Sequence, residues 1–374
     1  MASFVPLAAA SQLTTAFWQA MRRSTHHPWL NRFAWLTAGA TFLLIGLGGL
    51  VTSHEAGMAV PDWPTTYGYN MFLFPVQLWQ GNIFYEHTHR LFASLVGLLT
   101  TVLALWLWLR EPRVWLRWLG VGAFFAVVLQ GLLGGLRVTL LNDQIGIFHA
   151  TLAQSFFVLV TLIAIFVSGM GIKLLNGIQK APTSPCLRWM TVVGTVLILT
   201  QLILGGTMRH QHAGLAVPDF PLAYGKLWPP MDAAFLQKIN SERTGVEPSY
   251  PITAFHLGAH MAHRLVAFSI VLLVGSVAWR ARREHGAGSL LARLTLAWSG
   301  IICLQAALGA STVWSNKAAD IATAHVLLGA LSLLTGTLLS GLMITRHACS
   351  YSRSSYELNI GGDAVGDLAT TARQ

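Results

Sequence analysis

Charge is scarce in this chain. Of its 374 residues only 10% are Asp, Glu, Lys or Arg, where soluble domains carry ~25%. So few charges cannot cover a water-facing surface, which excludes a soluble fold. Cysteine is nearly absent. Cys186, Cys303 and Cys349 are scattered and match neither a disulfide framework nor a zinc site. Acids are outnumbered, 14 against 24 Lys and Arg, for a formal net charge of +10. An order typical of a signal peptide is also missing, because Arg22-Arg23 follows the short apolar stretch 4–10 instead of preceding it.

What fills the chain is apolar residues, 54% of the total. They form eight stretches, 33–53, 83–109, 115–138, 145–170, 187–207, 255–279, 290–312 and 319–345. Each is close to the ~20 residues that cross a bilayer as a helix. Lys and Arg concentrate on one side of this series: Arg22, Arg23, Arg32, Arg110, Arg113, Arg117, Lys173, Lys180, Arg188, Arg280, Arg282, Arg283, Arg293, Arg346, Arg353 and Arg373. Basic residues stay on the cytoplasmic side, so both termini are expected inside, in a cell (inner) membrane. The long connections 54–82 and 208–254 are then outside. Topology therefore accounts for the positive charge, and nucleic acid is not an expected partner; the lipid bilayer is. The tails 1–32 and 346–374 are expected in the cytoplasm, the second without regular structure, and 171–186 is expected to be a cytoplasmic linker.

The chain repeats itself. Residues 48–68, Gly-Gly-Leu-Val-Thr-Ser-His-Glu-Ala-Gly-Met-Ala-Val-Pro-Asp-Trp-Pro-Thr-Thr-Tyr-Gly, align with 205–225, Gly-Gly-Thr-Met-Arg-His-Gln-His-Ala-Gly-Leu-Ala-Val-Pro-Asp-Phe-Pro-Leu-Ala-Tyr-Gly. His89-Arg90-Leu91 aligns with His263-Arg264-Leu265, Leu129-Gln130 with Leu304-Gln305, and His149 with His325. Four spans per half keep the same orientation, so the repeat is parallel. The expected fold is an all-α polytopic membrane protein of eight transmembrane helices, in two pseudo-twofold-related four-helix bundles, 33–170 and 187–345. The second long loop carries the extra residues.

Ionisable groups inside a membrane span are costly and point to function. His89, His149, His263 and His325 each lie within about two turns of the outer end of a span, on the second and fourth helices of each half. Two imidazoles at one depth on different helices suit bis-histidine haem ligation. Hydrogen-bonded packing is the plain alternative for any one of them. Gly97, Gly134, Gly135, Gly146, Gly309 and Gly329 would let helices approach closely or leave room for a macrocycle. His54, His210 and His212 are placed in outer loops and His87 is set aside. His260 could compete with His263 as a ligand.

Glu86 breaks the symmetry, since its repeat partner is His260. It is a candidate acid or base beside His89, or else a carboxylate paired with Arg90 one turn on. Arg90 and Arg264 could bind haem propionates or reach to the outer interface. The loop motif Ala-Gly-x-Ala-Val-Pro-Asp-aromatic-Pro is expected to form a lid over each bundle, with Asp62 and Asp219 orienting donors.

On these residues the chain resembles the haem A synthase family of cytochrome oxidase assembly, over about 33–345. The resemblance implies that haem O is the substrate, with a ring methyl oxidised to a formyl group. It implies a haem b cofactor between His263 and His325, haem O between His89 and His149, and a catalytic role for Glu86. It implies haem O synthase, oxidase assembly factors, an unidentified electron donor and other copies of the chain as partners. Residues 54–82 hold no cysteine, so the chain resembles the branch without an outer-loop cysteine pair. Two rivals share parts of the pattern: a di-haem electron-transferring cytochrome b, and a transporter with parallel repeats.

Overall fold

The computed structural model describes residues 27–178, 183–243 and 251–371, with side chains to residue 345. Most of the expected N-terminal tail lies outside the described residues. Helices α1 (Pro28–Ser53), α2 (Gly81–Arg110), α3 (Val114–Thr139), α4 (Asp143–Val167), α5 (Met170–Ile178), α6 (Pro185–His210), α7 (Ala233–Ser241), α8 (Ala254–His285), α9 (Leu290–Trp314) and α10 (Ala319–Thr371) follow in order. Eight are long and apolar enough to cross a membrane: α1, α2, α3, α4, α6, α8, α9 and the Ala319–Thr345 part of α10. This is a multi-pass membrane protein. No proline stops α10 after Thr345, and its helical backbone continues to Thr371, where the sequence reading had no regular structure.

Local chemistry sets the helix starts. Pro28 and Pro185 occupy first-turn positions, where no N–H is needed. Ser184, Ser289 and Asn142 accept first-turn N–H groups of α6, α9 and α4. Thr253 and His256 form a reciprocal capping box on α8. Gly286, at φ 79°, ends α8, in backbone space that favours glycine.

The spans pack in two rings. In the first, α1 touches α2, α2 touches α3, α3 touches α4, and α4 returns to α1; in the second the order is α6, α8, α9, α10 and back to α6. Between them α1 meets α10, α4 meets α6, and α4 meets α10. Exchanging the halves leaves this pattern of spans unchanged, as a twofold relation requires. Phe157, Ile45 and Ala330 seal the seam, with Phe42 and Leu327 against them.

Apolar packing fills one end of each bundle. The first core gathers Leu30, Leu103, Leu107, Leu116, Val160 and Ile163. The second gathers Leu187, Val274, Leu291, Trp298, Leu339 and Met343. Toward the short loops from each histidine, the first buried apolar side chain comes one to two turns on, at Val96, Phe156, Ile270 and Ala330. Apolar packing therefore fills the short-loop side of the membrane, and the histidines lie above it. Dispersion and close packing hold such contacts in lipid, where burial from water is already complete.

The two long loops are built alike. Asp62 accepts from the N–H groups of Tyr67 (2.7 Å) and Gly68 (2.9 Å), and Asp219 from those of Tyr224 (2.7 Å) and Gly225 (2.9 Å). Tyr67 and Tyr224 donate their hydroxyls to the carbonyls of Ala59 and Ala216. Trp63-Pro64 and Phe220-Pro221 are both cis. The extra residues of the second loop form α7, whose Ile239 and Phe235 join Met208, Val217, Ile252, Leu257 and Met261 in an apolar cap. Asn240 closes it with paired hydrogen bonds to the backbone of Ile252, at 2.9 and 2.8 Å.

Candidate haem sites

His89 and His149 come from α2 and α4, which are diagonal in the first ring; His263 and His325 come from α8 and α10, diagonal in the second. Within each pair the imidazoles are electrostatic neighbours. All four side chains are half-buried, yet each Nδ1 is buried and has no hydrogen-bond partner among the described residues. Each ring is therefore packed on its Nδ1 side and partly exposed elsewhere.

A glycine backs each ring. A Cβ on Gly48 would lie 3.1 Å from Cε1 of His89, one on Gly134 3.3 Å from His149, one on Gly205 3.2 Å from His263 and one on Gly309 3.1 Å from His325. In each case the glycine is on the helix just before the histidine's in its ring. Any larger residue there would push the imidazole toward the bundle axis. A second device recurs at three of the four: Gln130, Gln201 and Gln305 donate Nε2 to the carbonyls of His149 (3.0 Å), His263 (3.0 Å) and His325 (2.9 Å). Leu44 occupies the repeat position of Gln201, so the carbonyl of His89 lacks this donor. Gln130 and Gln305 stand in the visible repeat and are a signal that the sequence reading left unassigned; Gly48 and Gly205 open the longest aligned stretch and were likewise passed over.

Two neighbouring imidazoles on diagonal helices, each half-buried with a glycine behind it, are a donor set that would suit a haem. Among the described residues no group of three His, Cys, Asp or Glu could hold a bare metal ion.

Glu86 is buried and both of its oxygens are engaged. Oε1 pairs with Nη2 of Arg90 at 2.7 Å, and Oε2 accepts from the N–H of Val60 at 2.8 Å. Arg90 also donates to the carbonyls of Val60 (2.8 Å), Asp62 (2.7 Å) and Thr65 (3.1 Å). Arg264 donates to the carbonyls of Asp219 (2.5 Å) and Leu222 (2.7 Å) and lies over the Phe220 ring. Both guanidinia thus grip the lid loops. His260 is buried at the position equivalent to Glu86. His87 is fully buried under the first loop between Phe74 and Trp79, with Thr66 at 3.3 Å. The expectation that His210 is a loop residue is corrected: it ends α6 and is buried, because α6 runs one turn beyond its apolar run.

In the loops, burial pulls the carboxyls of Asp62 and Asp219 upward, but the N–H groups they accept from, with the Thr65 hydroxyl for Asp62, hold both below the usual carboxylate value. They stay ionised and keep the lids folded.

Fold and sites define a helical membrane protein with a neighbouring histidine pair in each four-helix half. Over residues 31–338 the chain matches the model of the COX15-CtaA family, cytochrome oxidase assembly protein. It is similar to a heme A synthase of Halalkalibacterium halodurans, 27% identical over 336 residues, which cover 85% of this chain and 97% of the relative. A heme A synthase of Symbiobacterium thermophilum is 30% identical over 273 residues, 70% of this chain and 78% of the relative. One of Shewanella oneidensis is 27% identical over 325 residues, 82% and 93%. The chain belongs to the cytochrome oxidase assembly protein family.

Proposed function

We propose that the chain is a haem A synthase, an oxidoreductase that converts the ring methyl group of haem O to a formyl group. The observation that carries this reading is the doubled site: two histidine pairs of one construction, with Glu86 beside only one of them. A pure electron carrier has no use for that difference.

In this reading His89 and His149 hold haem O in the N-terminal half, and His263 and His325 hold haem b in the C-terminal half. Haem b, when bound, supplies one-electron transfer. Glycine backing and the Gln–carbonyl bonds fix where each imidazole points. Glu86 lies three residues, one turn, before His89 on the same helix face, at the long-loop edge of the site. There its carboxylate can take a proton released as the methyl carbon is oxidised. Arg90 holds that carboxylate in place and grips the lid above it. Arg264 does the same for the second lid, so both arginines position loops in this proposal.

Haem O synthase as supplier, assembly factors as recipients, a separate electron donor and a homo-oligomer fit the same reading. The Lys and Arg distribution supports a cell inner membrane with both termini cytoplasmic. The test is expression beside a source of haem O, followed by extraction of pigments. Haem A should accumulate with the wild-type chain and fail to form with Glu86→Ala, which should still carry haem b. Two stable haems with haem O left unconverted by the wild type would favour the electron-carrier alternative.

A further inference from the structure

A second polar cluster lies at the seam of the halves, on the long-loop side of the first histidine pair. Arg137 is three residues after Gly134 on α3, and Gly146 is three before His149 on α4. Both are therefore about one turn, ~5 Å, further out than the His149 ring and on the same helix faces. A Cβ on Gly146 would meet Nδ1 and Cε1 of His210 at 2.6 Å and Nε of Arg137 at 3.0 Å, so Arg137 and His210 share one small space against α4. His210 comes from α6, in the other half.

Hydrogen bonding in this cluster is incomplete. Arg137 reaches Asp143 through one Nη2 contact of 3.2 Å, and its buried Nε has no partner among the described residues. His210 is 7% exposed, and its buried Nδ1 has none either. Arg137 is half-buried, and its buried Nε–H, left without an acceptor, is costly unless an anion completes it. Arg137 is an electrostatic neighbour of His89, His149 and His210 together. The neighbouring Arg209 is already occupied, since its Nη2 donates to the carbonyl of Gly49 and to Oγ of Ser53 at 2.6 Å. The second half has no copy of the cluster: the repeat positions of Arg137 and His210 are Thr312 and Ser53.

We propose that Arg137 and His210 form a carboxylate-binding pair, drawn from both halves, that takes a propionate of the haem held between His89 and His149. The pair rests on the assignment of that site to the substrate, and it makes the substrate site a product of both bundles. Guanidinium and imidazole donors suit a carboxylate, and the position one turn above the ligand ring is where a side arm of a macrocycle lying between α2 and α4 would emerge. It also gives the substrate site a handle that the haem b site lacks.

The test is titration of the purified full-length protein with ferric protoporphyrin IX and with its dimethyl ester, which has no free carboxylate. Uptake is followed by the Soret band, and the part lost in His89→Ala defines the N-terminal site. The wild type should bind the free acid at that site about tenfold or more tightly than the ester, the worth of one charged hydrogen bond. Arg137→Leu and His210→Phe should each erase that preference, and Arg137→Lys should recover part of it. Haem retained by His263 and His325 reports folding of every variant. Equal affinity for acid and ester in the wild type, or a preference that survives Arg137→Leu, would overturn the pair while leaving the substrate site assigned. Uptake indifferent to His89 would overturn the site assignment itself, and the pair with it.

Discussion

Glu86 and Arg90 hold the same residue, Val60, by its two backbone ends: the carboxylate accepts its N–H at 2.8 Å and the guanidinium donates to its carbonyl at 2.8 Å. The ion pair that joins them, at 2.7 Å, is thus also the latch of the first lid. Removing Arg90 leaves a buried carboxylate alone, a loss of about 3–5 kcal/mol where the structure cannot relax. Arg90→Leu should therefore lower thermal stability and loosen residues 56–68 in hydrogen exchange. Unchanged exchange there would show that the lid is held by other contacts.

The same pair separates proton handling from clamping. Glu86→Gln keeps the size and one acceptor but cannot take up a proton. Haem A formation should fall about 100-fold or more in Glu86→Gln, the usual size of a general acid–base contribution, and nearly as far as in Glu86→Ala. A glutamine variant with near wild-type output would make Glu86 a latch only.

Glycines behind the imidazoles predict a site-by-site signature. Cβ contacts of 3.1–3.3 Å force the ring to give by a few tenths of an ångström. Gly205→Ala and Gly309→Ala should shift the spectrum and potential of the haem held by His263 and His325 and leave the other site unmoved. Gly48→Ala and Gly134→Ala should do the reverse. A shift in both sites from any one alanine would contradict independent pockets.

Acid should open the lids within a defined window. Asp62 and Asp219 have folded values below the ordinary carboxylate value of 3.8. A depressed folded value contributes stability that is complete above the unfolded value and lost as pH falls through the folded one. Protease cleavage within 54–82 and 208–254 should be flat from neutral pH down to about pH 4 and rise below it. Asp62→Asn should expose the first loop at neutral pH, and cleavage there as slow as in the wild type would remove the carboxylate from the lid.

Much of this architecture is legible in the chain. Each of the eight expected spans falls on one of the eight long apolar helices, with starts that agree to within five residues, because eight long apolar runs admit little else. The histidines are visible because they repeat. Helices α5 and α7 are not, since nine residues carry too little periodicity to stand out. The partners of Arg90 and Arg264 are also hidden, because a guanidinium gives no sign of whether it will meet a backbone carbonyl or a ligand. Arg137 and His210 escape for another reason: each ends a helix in a different half, and only the seam between α4 and α6 brings them together.

The claim that two histidine pairs hold two haems with different fates is tested most directly by haem content after single substitution. His263→Ala or His325→Ala should strip the purified protein of haem b, and His89→Ala or His149→Ala should leave haem b bound while abolishing haem A. Loss of haem b from His89→Ala, with retention in His263→Ala, would contradict the assignment of the two halves.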